Sequence, residues 1–174
     1  MASIAMKVRR LVTDPFTNLP SLVLEDASGR EQLELAIGIH EAPAIASELS
    51  KVELDCPLPH DLIKAILGEC GAALERVELS GLRGGTFYAK LTLRLPGGPR
   101  IELDARPSDA IGLALRTGVA IHISRRLLLR ARSLQRRRER DVEAGIEGDG
   151  GPLTDVGAWL LETIPDEDFG KWKM

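Results

Sequence analysis

The stretch that decides the fold is Arg100-Ile-Glu-Leu-Asp-Ala-Arg-Pro-Ser-Asp-Ala-Ile-Gly-Leu-Ala-Leu-Arg-Thr117. Its first six residues alternate between charged and apolar side chains, which predicts a strand with one buried face and one polar face. Pro107 suits the first position of a helix, and Asp109 suits the first turn, where free N–H groups favour an anion. Residues 110–115 are apolar almost all round, which predicts a buried helix that ends at Gly118.

The same alternation extends upstream of this stretch. Residues 75–82 and 86–95 read as strands joined by a hairpin turn at Gly84-Gly85, and with 100–105 they form a predicted meander. Segments 7–14, 21–26 and 32–39 predict a second meander, and 119–123 a last short strand. Helices are predicted at 41–51 and 59–70. The fold class is therefore α+β, a mixed and mainly antiparallel sheet built from two three-stranded meanders with helices packed against it.

Each meander leads to a helix that carries Ala-Ile followed by a small residue, at 44–46 and 110–112. An internal β-β-α duplication is one interpretation, and chance recurrence of short apolar words is the other. In the helix at 59–70, an apolar stripe is predicted to face the core, which makes Cys70 a buried thiol. The members of this stripe are Leu62, Ile63, Ile66, Leu67 and Cys70. His60, at the start of that helix, is expected to cap it or to contact solvent.

Composition limits the classes of function. The chain has 174 residues, a net charge of −3 and 3% aromatic residues, which argues against a strongly basic protein and against an aromatic platform for single strands. The sequence has no CxxC pair and no run of about 18 apolar residues, so we expect a cytoplasmic protein without a membrane partner. Predicted boundaries are 1–130 for the main domain, 131–152 for an arginine-rich segment and glycine-rich linker, and 153–174 for a C-terminal helix and tail that dock on the domain.

A candidate site lies on the polar face of the second meander. Glu102 and Asp104 are two residues apart on one strand, so their carboxylates project to the same side, about 6–7 Å apart. With Asp109 as a third carboxylate, they could bind Mg²⁺ or Mn²⁺ and activate a water for attack on a phosphoryl group. Candidate phosphate-binding residues are Lys90, Arg106, Ser108, Arg125 and Arg126. The alternative is a solvated sheet face with cross-strand ion pairs.

Three segments resemble the bifunctional nuclease domain family. They are Gly84-Gly-Thr-Phe-Tyr-Ala-Lys90, Asp104-Ala-Arg-Pro-Ser-Asp-Ala-Ile-Gly-Leu-Ala-Leu-Arg-Thr-Gly118 and Asp168-Phe-Gly-Lys-Trp-Lys-Met174. Glu41-Ala-Pro-Ala-Ile-Ala46 and His60-Asp-Leu-Ile-Lys64 also match the family pattern. The resemblance implies a nuclease that acts on DNA and RNA, but it carries no settled catalytic set. Arg125-Arg126 departs from it, because acidic residues are expected there.

Three hypotheses follow from the residues and the resemblance together. The first is a metal-assisted nuclease in which Glu102, Asp104 and Asp109 hold the cation while Lys90 and Arg106 bind phosphate. The second is a non-catalytic regulatory protein that captures a small anion at the N-terminus of the helix after Arg106. The third is a structural homodimer whose polar sheet face is the interface.

Overall fold

Seven strands and four helices make up the part of the chain that the computed structural model describes, residues 3–13, 19–52 and 54–143. In chain order they are β1 Ser3–Thr13, β2 Pro20–Asp26, β3 Gln32–Ala36, α1 Ala42–Leu49, α2 Pro59–Glu69, β4 Ala73–Arg83, β5 Thr86–Arg94, β6 Arg100–Ala105, α3 Pro107–Thr117, β7 Ile121–Ser124 and α4 Arg125–Glu143. Both predicted meanders are confirmed, with β1 beginning earlier and β3 ending earlier than the sequence predicts.

All seven strands join one sheet in the order β3-β2-β1-β7-β4-β5-β6. Neighbours within each meander are antiparallel, and β7 lies between the meanders, antiparallel to β1 and parallel to β4. The α+β class with a mixed, mainly antiparallel sheet is therefore confirmed. The internal duplication stays a prediction.

Helix α3 anchors the helical layer on the sheet. As predicted it is buried, with Ala110 and Ile111 fully enclosed. It packs on β4 and β5 and lies between α1 and α2. The backbone of Gly118 is left-handed, with φ of 73°, which ends the helix at the predicted residue. The position of α3 brings its first turn next to α1 and α2.

Of the five residues in the predicted apolar stripe of α2, Leu67 packs against the core and the other four do not, which corrects the expectation from periodicity. Leu62, Ile63 and Ile66 are exposed, and Cys70 is an exposed free thiol. The reason is that α2 is fixed by polar contacts on its other side, where His60 is buried and Asp61 pairs with Arg116 of α3.

Strand β6 is an edge strand, and its apolar face is less covered than the alternation predicts. Ile101 and Leu103 pair with the buried Leu93 and Leu91 of β5, yet both are exposed. Since α3 packs on β4 and β5, it covers little of the Ile101 and Leu103 side chains on β6.

The first compact unit of the protein ends at Gln135. Helix α4 begins directly after β7, with Leu128 and Ala131 buried in the core. Residues 131–143 of the predicted arginine-rich segment lie in α4, whereas the glycine-rich linker and the C-terminal helix lie outside the described residues. The boundaries at 130 and 152 stay predictions. Within the described ranges, no helix is long and apolar enough to cross a membrane.

Candidate active site at the start of helix α3

Arg106 and Asp109 meet at the junction of β6 and α3. Arg106 has extended backbone, with φ of −68° and ψ of 146°, and Pro107 begins the helix one residue later. The Arg106 Nε donates to Asp109 Oδ2 at 2.7 Å and its Nη2 donates to Oδ1 at 3.1 Å. This two-point contact orients both side chains at the positive end of the α3 dipole.

Glu41, the residue before α1, joins this pair from another part of the chain. Arg106 Nη1 donates to Glu41 Oε1 at 2.8 Å. Gly38 leaves room for the Glu41 carboxylate, because a Cβ at that position would collide with Glu41 Oε2. One guanidinium therefore holds two carboxylates, while its side chain stays 66% exposed.

His60 of α2 approaches the Asp109 carboxylate from the interior of the protein. Its Nε2 lies 3.6 Å from Asp109 Oδ1, an ion-pair distance slightly longer than an ordinary hydrogen bond. The ring packs on α3 at Gly112, where a Cβ would lie only 2.8 Å from Nε2. Among the described residues, His60 Nδ1 has no hydrogen-bond partner and is buried. Glycine at position 112 is thus what allows the imidazole to reach Asp109.

The pKa of Asp109 reflects these neighbours. Interaction with His60, followed by the hydrogen bond and charge of Arg106, lowers the pKa of this carboxyl to about 2 although burial opposes the shift. Asp109 is therefore ionised at neutral pH. We call Glu41, His60, Arg106 and Asp109 the junction cluster.

A buried ion pair fixes α2 beside the junction cluster. Arg116 of α3, with 2% of its side chain exposed, donates through Nε to Asp61 Oδ1 at 2.5 Å. Its other nitrogens donate to the carbonyls of Gly112 and Ala44, each at 3.2 Å. Asp61 also accepts the N–H of Leu58 at the start of α2, at 2.9 Å. The pair therefore ties α1, α2 and α3 together and positions His60.

Lys90, Glu102 and Asp104 form a second group, on the polar face of the sheet. Lys90 Nζ donates to Glu102 Oε2 at 2.9 Å, and Lys90 lies directly opposite Asp104 in the strand register. The hydrogen bond that Lys90 donates to Glu102 raises the pKa of Lys90. The lysine ammonium thus offsets the charge of Glu102 and lies beside that of Asp104, an exposed arrangement that contributes little to stability. The described residues contain no group of three or more side chains suited to hold a metal ion.

The remaining predicted site residues lie on two helices, α3 and α4. Ser108 is buried in the first turn of α3. Arg125 and Arg126 begin α4, where both are exposed and Arg125 Nη2 lies 3.7 Å from Glu31 Oε1. Of the residues predicted as catalytic, the structure brings together Arg106 and Asp109.

Comparison with known proteins decides the family. The sequence profile of the bifunctional nuclease domain matches residues 22–135, well over half of the chain. The protein belongs to the bifunctional nuclease domain family. All four residues of the junction cluster, and the Asp61–Arg116 pair, lie within the matched range.

Relatives of this family occur in bacteria and plants. Uncharacterized proteins of Mycobacterium tuberculosis strains CDC 1551 and H37Rv are each 41% identical over 114 residues, which is 66% of this chain and 67% of theirs. Bifunctional nuclease 1 of Oryza sativa subsp. japonica is 31% identical over 110 residues, or 61% of this chain. The match spans only 32% of the rice protein.

Sequence reasoning missed Glu41 and His60 as members of the site. Periodicity does not indicate that Glu41, which precedes α1, contacts Arg106, or that His60, within α2, approaches Asp109. The available signal was the bifunctional nuclease pattern, which includes the segments that begin at Glu41 and His60. His60 was expected to cap α2 or to contact solvent, whereas it is buried against Gly112.

The depressed pKa of Asp109 predicts an acid-dependent loss of stability. Because the folded pKa of about 2 is below the ordinary value of 3.8, the carboxylate stabilises the fold fully above about pH 4, and this contribution is lost as pH falls toward 2. It amounts to less than about 2 kcal/mol, since solvent screens a side chain that is one-third exposed. Unfolding free energies measured from pH 5 to pH 2 should therefore fall less steeply for Asp109→Asn than for the wild type. Equal slopes would contradict the prediction.

Proposed function

We propose that this protein is a nuclease that hydrolyses phosphodiester bonds in DNA and RNA, with the junction cluster as its active site. The observation that carries the proposal is the convergence of Arg106 and Asp109, from the family motif, with His60 and Glu41 from two other parts of the chain. Membership of the family and the naming of the rice relatives as bifunctional nucleases support the reaction class.

Each residue of the junction cluster has a role that follows from its contacts. His60 is the proposed general base: Asp109 Oδ1, 3.6 Å from its Nε2, orients the ring, and its buried Nδ1, which has no hydrogen-bond partner among the described residues, takes the proton once the ring turns to admit a water. Arg106 uses three of its five N–H groups on carboxylates, and its exposed end leaves donors for a phosphate. Glu41 holds the guanidinium in place.

The proposed reaction is a direct displacement by water. His60 takes a proton from the attacking water, and the oxygen of that water forms a bond to phosphorus. The bond from phosphorus to the leaving oxygen breaks, and that oxygen takes a proton from solvent. Arg106 stabilises the negative charge that develops on the phosphoryl oxygens.

The rival proposal is a divalent cation held by Glu102 and Asp104, and the same experiment distinguishes it from the junction cluster. Mg²⁺ or Mn²⁺ would have to displace the Lys90 ammonium from Glu102. In that arrangement Asp104 and Glu102 would bind the metal, and activity would depend on it. We further propose that nucleic acid is bound in the cytoplasm and that the protein acts as a homodimer.

The test uses labelled single-stranded DNA, double-stranded DNA and RNA, with and without EDTA. Asp109→Asn should lower the cleavage rate about 100-fold, whereas the matched control Asp104→Asn should cleave like the wild type. Loss of activity in Asp104→Asn together with inhibition by EDTA would move the active site to the strand carboxylates. Equal activity in all three proteins would indicate a contaminating nuclease and overturn the proposal.

A further inference from the structure

The junction cluster carries little positive charge for a site that is to bind a polyanion. Its one guanidinium, that of Arg106, is shared by the carboxylates of Glu41 and Asp109. On the neighbouring sheet face, the Lys90 ammonium is paired with Glu102. Contacts of Lys and Arg with phosphates supply much of the affinity of a protein for nucleic acid. A nuclease built on this cluster therefore draws its affinity from a cationic surface elsewhere on the molecule.

The exposed arginines of the polar sheet face do not provide that surface, because carboxylates already hold them. Arg94 and Arg100 both donate to Glu75, at 2.8 and 2.6 Å. Arg76 pairs with Glu78 at 3.2 Å. A phosphate that approached these guanidiniums would have to displace a carboxylate, so their charge is not available to it.

Helix α4 differs, since its arginines outnumber the carboxylates that they contact. Positions 125–138 contain seven arginines and no acidic residue. In the first compact unit, Arg125 and Arg132 both contact the carboxylate of Glu31, at 3.7 and 2.5 Å. One carboxylate thus serves two guanidiniums, and the beginning of α4 keeps an excess of positive charge although the whole chain has a net charge of −3.

Arg126 and Arg130 are the unpaired part of this charge. Both are exposed, and neither has an acidic partner among the described residues. They are four residues apart and therefore lie on one face of α4, which Ser133 continues three residues further. Ser133 is small and exposed, so a phosphate backbone can approach this face closely. We call Arg126, Arg130 and Ser133 the arginine surface.

The opposite face of α4 favours nucleic acid over a membrane as the occupant. Leu127, Leu128 and Ala131 are buried in the core, so the helix has already used its apolar face. Leu129 and Leu134 are exposed, but they do not form the broad apolar face that a helix inserts into a lipid boundary. The arginine surface thus suits a hydrated polyanion.

The chain between α4 and the junction cluster is short. Gln135 Nε2 donates to the carbonyl of Glu34 at 2.5 Å, and Glu41 follows Glu34 by seven residues. Seven residues span at most about 25 Å, and Arg130 is about 8 Å of helix from Gln135. The arginine surface therefore lies within about 40 Å of Glu41. About twelve nucleotides of a helical strand cover that length, at about 3.4 Å each.

We propose that the arginine surface of α4 binds the phosphate backbone of a strand whose scissile bond lies at the junction cluster, so that the protein prefers strands of about twelve nucleotides or more to short ones. The proposal rests on the proposed function for the identity of the polyanion, but it assigns the affinity to a different part of the chain. Because the contacts are with phosphates, they weaken with salt and carry no sequence preference.

Binding is measured apart from cleavage, with the full chain, EDTA and a labelled phosphorothioate strand of about 20 nucleotides. Fluorescence anisotropy should show that Arg126→Gln combined with Arg130→Gln weakens binding about 10- to 30-fold at about 0.1 M salt. The slope of log affinity against log salt should fall by about 1.4, since each phosphate contact on a single strand contributes about 0.7.

The matched control is Arg94→Gln combined with Arg100→Gln, which removes the same charge from guanidiniums that Glu75 holds. This variant should leave the salt slope unchanged. Equal losses in the two double variants would reduce the effect to net charge and overturn the arginine surface. Wild-type binding by the α4 double variant would overturn it as well.

Cleavage by the same proteins separates this proposal from the nuclease activity. The α4 double variant should raise KM for the long strand with kcat retained, and it should cleave a dinucleotide at the wild-type rate. A protein that binds the long strand through α4 but cuts nothing would support the arginine surface and remove the active site. Binding to vesicles that contain phosphatidylserine, without binding to the strand, would overturn the arginine surface in favour of a membrane.

Discussion

Replacing His60 by glutamine should lower kcat/KM for nucleic-acid cleavage about 100- to 10,000-fold, the usual contribution of a general base. Glutamine keeps a polar group near Asp109 but cannot take a proton from water at neutral pH. The measurement is single-turnover cleavage of a labelled strand with purified protein. Thermal unfolding of the variant, compared with the wild type, separates a loss of chemistry from a loss of fold. Activity within threefold of the wild type would remove His60 from the active site.

A second variant moves the imidazole instead of removing it. Because a Cβ at position 112 would lie 2.8 Å from His60 Nε2, Gly112→Ala must displace the ring from Asp109. We expect a smaller loss of activity than for His60→Gln, since the base is still present. If Gly112→Ala leaves activity unchanged, the distance between His60 and Asp109 does not matter for the reaction.

The Asp61→Asn substitution should destabilise the protein by about 3 kcal/mol, because it leaves the charge of Arg116 buried without a counter-ion. The asparagine oxygen can still accept the N–H of Leu58, so the start of α2 is preserved and the loss reports on the charge. Urea unfolding followed by circular dichroism gives the free energy of unfolding.

A substitution of the other member of the ion pair, Arg116, provides the control. Arg116→Met removes the buried charge, and Asp61, partly exposed, can turn to water. We therefore expect Arg116→Met to cost less, about 1–2 kcal/mol for the lost hydrogen bonds. The double variant should be more stable than Asp61→Asn alone. A double variant whose losses simply add would show that the two charges are not coupled.

Much of the fold follows from local patterns in the sequence. The alternation in β5 and the Pro107 to Gly118 signals of α3 predict elements that the structure confirms. The prediction that the apolar stripe of α2 faces the core is confirmed for Leu67 and wrong for its other members, because periodicity reports where apolar side chains lie on a helix and not what they face. Here the ion pair of Arg116 fixes the helix, and the apolar face is left outside.

The candidate site also contains contacts that follow from local spacing and contacts that do not. Arg106 and Asp109 are three residues apart on a predicted helix start, so their contact follows from sequence. The contacts of Glu41 with Arg106 and of His60 with Asp109 join residues far apart in the chain. They depend on how α1 and α2 pack against α3, which no local spacing specifies.

The central place of β7 sets an order for folding while the chain is being synthesised. Each meander can form from neighbouring strands, but β1 and β4 share no partner until Ile121–Ser124 have been made. Until then each meander has an open inner edge with unpaired N–H and C=O groups, the kind of edge that recruits other chains into aggregates. A chain released before Ile121 would keep both edges open, which makes premature termination more hazardous for this protein than loss of a terminal element.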